Sequence, residues 1–393
     1  MAIIQPKSNR IAAVDVMRAL TMTLMLFVND IAGLQNIPHW LLHAEINEDM
    51  MGFSDTIFPA FIFCMGMSVV LAIDTRYRKG DTPLQLIGHI FTRSFALIAM
   101  GLFTLNCSEV GFIPYSWFTI LMVIGFFLTW GVYPESSGWR NRLNTVLKCA
   151  GVGLLLFLFV YKDISGSPFS TGWWGILGLI GWTYAVCSLI YLFTGNNLKV
   201  NFIVWIALIL LSLGTHSSLI PDDYASRWIL LTFIPSDWTL HALGMSDILT
   251  ALLMKRFRQN GRRLFTITII LGAIMLVCGL VSHPYWIISK IQATPTWMFY
   301  CLAMFFPIFG LLYILCDLHG GASYFSLIRP AGTATLTAYM IPDVWYSVMS
   351  LIGVWYPSWL CSGYPGLIRS ALFAIVVVIL TGLLSKIKIR LKV

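Results

Sequence analysis

The chemistry in this chain is concentrated near its start, where Asp15, Arg18, Asn29, Asp30, His39, His43 and Asp55 lie inside or beside two hydrophobic runs. An unpaired polar group costs several kcal/mol in such surroundings, so these residues are candidates for a task. His39 and His43 stand four apart, and an imidazole with a pKa of about 6.5 suits general acid or base work at neutral pH. The Asn29 amide could hold a reacting carbonyl or orient a base, and Asp55 could fix a histidine tautomer. A helix end with Asn29, a loop with His39 and His43, and a helix start with Asp55 converge on one membrane face. Arg18 and Arg93 belong to the opposite half, where a guanidinium suits an anion such as a phosphate.

Structural alternatives stand beside each of these readings. Asp15 and Arg18 are three apart and could simply pair with each other. Asn29 could cap a helix end, and either histidine could be a solvated loop residue. Asp55 before Phe58-Pro59 fits a helix N-cap with proline in the first turn. Arg93 could snorkel to the nearer interface. His241, Asp247 and Asp343 add polar groups to later spans, where a water-filled path or a substrate pocket would use them. The eight cysteines show no CxxC spacing and sit mostly in apolar runs, so they read as small apolar residues without a metal site. Cys107 and Cys361 sit near one face, where they could pair. No P-loop, GxSxG, HExxH or dinucleotide fingerprint appears, so nothing points to ATP-driven work.

The elements that must position these residues are transmembrane helices. Hydrophobic residues make up 58% of the 393 and charged ones 11%, and the mean hydropathy is +0.81, which excludes a soluble domain. Stretches of membrane-spanning length run over 11–35, 55–73, 84–105, 116–133, 145–161, 173–193, 201–220, 239–254, 264–282, 297–317, 331–353 and 366–385. An all-α polytopic protein of about twelve spans, treated as one domain over 1–393, is the expected architecture. With a cytoplasmic N-terminus, 21 of the 25 basic residues fall on inner segments and only Lys162, Arg227, Lys290 and Arg369 on outer ones. The positive-inside rule therefore places both termini in the cytoplasm. It also explains the net charge of +8 without nucleic acid, and clusters such as Lys255-Arg256-Phe257-Arg258 read as anchors for anionic lipid. The ten residues before the first span lack the pattern of a removed signal peptide, so that helix is expected to stay. The longest outer loops are 36–54, 221–238 and 283–296. The last is rich in aromatics, which favour the membrane interface and can also stack on sugar rings.

The pattern Arg10, Asp15, Arg18, Phe27-Val28-Asn29, His43-Ala44, Asp55, Phe58-Pro59, Phe61, Phe63 and Gly66 resembles the heparan-α-glucosaminide N-acetyltransferase family of membrane acyltransferases. The likeness continues at Arg93-Ser94-Phe95 with Gly101, at Pro295-Thr296-Trp297, and at Arg329-Pro330 with Gly332 and Thr335 to Tyr339. The motif-bearing part is 10–105. The bacterial branch, which lacks a large lumenal N-terminal domain, is the better match, and an inner-membrane location goes with it. Twelve spans exceed the family core of ten, with the extra pair expected within 173–220. The resemblance implies acetyl transfer from cytoplasmic acetyl-CoA to an amino sugar on the far side, with His43 as the catalytic histidine and Asn29 its companion. It also implies a homodimer as one assembly open to the chain.

Acyl transfer is thus the leading expectation: His43 as general base or acyl carrier, Asn29 on a carbonyl, Asp55 on the histidine, and Arg93 with Arg18 on CoA phosphate. Acetyl-CoA serves as co-substrate, with no metal; the partners are an amino-sugar acceptor and membrane lipid, not nucleic acid. A secondary transporter of a sugar or related solute is the alternative, since twelve helices with intramembrane charges are common there. A non-catalytic membrane scaffold or sensor is a third.

Overall fold

The computed structural model describes residues 11–134, 138–217, 238–258 and 260–392. Lys7, Arg10, Arg227 and most of the 221–238 loop lie outside these residues. Among the described residues the architecture is all helical, with only isolated bridges in place of strands. Each expected span coincides with a helix: α1 Ala12–Ile31, α2 Ser54–Arg78, α3 Pro83–Leu105, α4 Tyr115–Trp130, α5 Trp139–Ile164 and α6 Gly175–Thr194. These are followed by α7 Leu198–Thr215, α8 Thr239–Arg256, α9 Gly261–Ser282, α10 Pro295–Tyr313, α11 Thr335–Ile352 and α12 Gly363–Lys386. Nine helices among the described residues are long and apolar enough to cross a membrane, counting α10 to Leu318, and α4 is a shorter apolar helix. The chain is a polytopic membrane protein.

Local sequence sets several helix starts. Thr82 and Gln85 close a reciprocal capping box ahead of Pro83, while Thr294 caps α10 ahead of Pro295. The first turn of α1 is capped from afar. A π-helical turn, Ile314–Leu318, extends α10 and presents Asp317, whose two oxygens accept the Ala12 and Ala13 N–H at 2.9 and 2.8 Å. α5 begins at Trp139 rather than 145, because its hydrophilic Arg140, Asn141, Arg142 and Asn144 extend the helix beyond the apolar stretch. The expected span 331–353 is broken at Ala334, which separates a short helix, Arg329–Thr333, from α11.

Burial sorts the helices into a centre and a periphery. α8 is buried all round from Thr239 to Leu252, packed by α2, α6, α7 and α10. That enclosure explains how a helix bearing His241, Ser246, Asp247 and Thr250 sits in a membrane protein. The α2–α8 crossing is close: a Cβ on Gly66 would lie 2.5 Å from the Gly244 carbonyl oxygen, which is small-residue packing of the kind membrane helices favour. α3 and α6 meet equally closely at Gly101 and Gly178. α5, α7, α9 and α12 expose broad apolar faces, including Phe157, Val160, Ile203, Val277 and Leu372.

Candidate active site

α2 opens with Ser54, and its first turn carries Asp55. Asp55 is not the N-cap; Phe53 holds that position and no side chain caps it. Instead the carboxylate turns back on the preceding loop. Its Oδ2 accepts the Ala44 and Gly52 N–H at 2.9 and 3.1 Å, and its Oδ1 lies 2.7 Å from His43 Nδ1. The Asp55 side chain is 1% exposed and that of His43 39%, so a buried acid holds a ring that still reaches solvent.

Two aromatic and cyclic residues explain how that acid is fixed. Pro59 has no N–H to return to the Asp55 carbonyl, the acceptor four residues back. The buried Trp297 indole donates to that carbonyl at 3.2 Å, satisfying an oxygen that the helix itself leaves free. Trp297 comes from the start of α10, so the segment before it is drawn against the loop at 32–53. The contact is reinforced by Asp49, which accepts the Ile288 N–H at 2.8 Å and pairs with His283, and by Gln292, which donates to the Ile46 carbonyl at 2.7 Å. The Ile288 N–H bond, joined by His283, holds the Asp49 carboxyl below the usual carboxylate range.

This clasp delivers a residue that the sequence reading did not place in the site. Lys290 Nζ lies 2.9 Å from His43 Nδ1 and 3.4 Å from Asp55 Oδ1. Burial pulls its ammonium below the ordinary lysine range, with Asp55 opposing. The signal was present in the charge pattern, because Lys290 is one of the four basic residues that the expected topology leaves on outer segments. Arg369 is another. It holds the buried Asp30 at 2.8 Å, stacks on Tyr356, and shares Asp30 with the Tyr346 hydroxyl.

The other expected residues are distributed unevenly. His39 is exposed and pairs with Glu48 at 2.7 Å, away from Asp55. Asn29 is exposed on the last turn of α1, and no hydrogen bond joins it to His43 or Asp55 among the described residues. Cys107 and Cys361 are both free. His241 and Asp247 Oδ1 are buried without partners among the described residues, while Asp247 Oδ2 accepts the Met67 N–H at 2.8 Å. Asp343 is half-buried on α11. No cluster of metal-binding type occurs among the described residues.

Arg18 and Arg93 do come together. Both line a cavity of about 270 Å³ with Phe61, Cys64, Ser68, Thr335 and Lys392. Arg18 bridges Ser68 Oγ at 3.2 Å and the Gly332 carbonyl at 3.3 Å, and keeps its neighbour Asp15 at 3.6 Å. Arg93 stacks on Tyr184 at 4.6 Å, and its Nε is buried without a partner among the described residues. The break at Ala334 matters here, because the start of α11 then opens into the cavity through Thr335 and Leu336 with no side-chain cap. Lys392 is placed by the chain's last residues, which bond to Trp130 and Thr337. Three cations and a helix N-terminus thus face one cavity, an arrangement whose chemistry suits an anion.

Residues 10–133 match the family profile described as heparan-alpha-glucosaminide N-acetyltransferase, catalytic. The heparan-alpha-glucosaminide N-acetyltransferase of Mus musculus is 30% identical over 203 residues, covering 44% of this chain and 29% of that protein. The Homo sapiens protein is 35% identical over 98 residues, covering 25% and 14%. The chain therefore matches less than a third of the length of these relatives. The matched segment holds Arg18, Asn29, His43, Asp55 and Arg93, and over it the chain is similar to the heparan-alpha-glucosaminide N-acetyltransferase family.

Proposed function

We propose that this protein transfers an acetyl group from acetyl-CoA, bound in the Arg18–Arg93–Lys392 cavity, to the amine of an amino sugar at His43. The observation that carries this reading is that α2 bears both ends of such a reaction. The cavity lining follows α2 from Ala72 to Phe61, roughly 16 Å at 1.5 Å per residue, and Asp55 lies about 9 Å further along the same axis. A long, flexible thioester arm with phosphates at its far end suits that layout. The donor side is the basic, cytoplasmic face, and the acceptor side is the opposite face, periplasmic in a bacterial inner membrane.

In this scheme Arg18, Arg93 and Lys392, with the N–H groups opening α11, hold the phosphates by charge-assisted bonds. Asp55 accepts a hydrogen bond from His43 Nδ1–H, which leaves the Nε2 lone pair for the acceptor. His43 takes a proton from the sugar amine as nitrogen bonds to the thioester carbonyl carbon, and returns it to the departing thiolate as the carbon–sulfur bond breaks. Asn29, whose amide is free, would donate to the carbonyl oxygen as charge builds there. His39, held by Glu48 away from Asp55, has no part. The test is acetyl-CoA-dependent formation of an N-acetylated amino sugar by the purified protein. His43→Ala should abolish it and His39→Ala should not. Full activity in His43→Ala would refute the assignment.

A further inference from the structure

The Nδ1 atom of His43 faces two groups at once and has a single in-plane position to offer them. Asp55 Oδ1 at 2.7 Å requires a proton on Nδ1, whereas the Lys290 ammonium at 2.9 Å requires a lone pair there. The two bonds exclude each other. When Lys290 is charged it can bond to both Nδ1 and Asp55 Oδ1, and the neutral ring then carries its proton on Nε2. When Lys290 is neutral, Nδ1–H turns to Asp55 and Nε2 is left bare. We infer that Lys290 is a positioning residue that selects the tautomer of His43, holding Nε2 blocked while its amine is charged and releasing it when the amine loses its proton.

Three further observations support this. Lys290 is only 21% exposed, and its burial favours the neutral amine. The clasp through Asp49, His283 and Gln292 gives the 283–294 segment a fixed seat, so the ammonium is not a freely waving surface charge. Among the described residues no competing counterion is bonded to Lys290: the titratable groups facing it are His43 and Asp55, with Glu48 and Cys301 within electrostatic reach of Asp55. An acceptor amine arriving at Nε2 meets a ring whose opposite nitrogen already reports the protonation of a second, built-in amine.

The inference rests on the acyl-transfer reading only in its kinetic consequence, and the tautomer itself can be read without activity. In full-length protein labelled with 15N-histidine, the His43 resonances, assigned by difference against His43→Gln, should show the Nε2-protonated tautomer at neutral pH. They should convert to the Nδ1-protonated form as Lys290 titrates. Lys290→Met should show the Nδ1-protonated form at neutral pH, and Lys290→Arg should hold the Nε2-protonated form throughout. In the acetyl-transfer assay, Lys290→Met should move the ascending limb of the pH profile down by about one unit or more. Lys290→Arg should lose about tenfold or more of the alkaline plateau rate. An unchanged tautomer in Lys290→Met, or a wild-type His43 already Nδ1-protonated at neutral pH, would overturn the inference. A wild-type protein that switches tautomer but transfers no acetyl group would uphold it and refute the acyl-transfer reading instead.

Discussion

Replacing Asp55 by asparagine separates the fold from the chemistry, because the two carboxylate oxygens have different duties. Oδ2 accepts two backbone N–H groups, from Ala44 and Gly52, while Oδ1 faces His43 and Lys290. An amide placed here must turn its oxygen toward the two N–H donors, since turning its NH2 that way would leave three buried donors facing one another. The NH2 then points at His43 Nδ1 and donates to it. The ring is driven to the Nε2-protonated tautomer, which cannot act as base. The wrong tautomer in a Ser-His-Asp triad lowers kcat by on the order of 10^4, and a general-base contribution alone is worth about 10^2 to 10^4. On the alkaline plateau, where Lys290 is neutral and wild-type His43 carries its proton on Nδ1, the expected result for Asp55→Asn is therefore a fall in kcat within that span. The KM for acetyl-CoA should be unchanged, because the cationic cavity begins more than a helical turn away. The backbone bonds to Ala44 and Gly52 survive, so size-exclusion behaviour and helical content should match wild type. Steady-state rates of N-acetylated sugar formation against acetyl-CoA concentration decide the matter. A kcat within a few-fold of wild type in a folded variant would refute the role given to Asp55.

Arg93→Ala should raise the KM for acetyl-CoA by about ten- to a hundredfold with kcat nearly constant, since one charge-assisted bond is worth about 1.5–3 kcal/mol. Arg18→Ala should do less, because Arg18 already divides itself between Asp15, Ser68 and Gly332. Trp297→Phe leaves the Asp55 carbonyl without the donor that Pro59 cannot supply; the cost should be about 1–3 kcal/mol, read as a lowered midpoint in thermal unfolding. The clasp between the 32–53 and 283–294 segments should open in acid. The Asp49 carboxyl titrates below its ordinary value of 3.8 when folded, so its contribution is complete above that value and lost as pH falls through the lower, folded one. Hydrogen exchange at Ile288, accelerated only in that acid range in wild type and already fast in Asp49→Asn, measures it.

The all-helical membrane architecture was plain in the sequence because hydrophobic length is a one-dimensional signal, and each expected span contains a helix. Arg18 with Arg93, and His43 with Asp55, were also legible: each pair follows from which half of a span its members occupy. What a one-dimensional reading missed was contact between distant loops. Lys290 reaches His43 only because Asp49, Gln292 and Trp297 draw the 283–294 segment across the bundle. Nothing in the residues around position 290 encodes that. The break at Ala334 was hidden in the same way, since 331–353 is apolar enough to read as one span, and the Gly332 carbonyl turns out to Arg18 only once α1 is packed beside it. Both missed cations, Lys290 and Arg369, were visible as exceptions to the expected charge distribution, and such exceptions are places to look for buried carboxylates.

The most direct test of transfer across the membrane is a sided one. Protein reconstituted in one orientation into sealed vesicles would receive labelled acetyl-CoA only on the face bearing Arg76, Arg78 and Lys255, and an amino sugar only on the other. Labelled N-acetylated sugar should accumulate on the sugar's side, and should fail to form when the two compartments are exchanged. Product that forms only when donor and acceptor share one compartment would contradict a reaction joining the Arg93 cavity to His43.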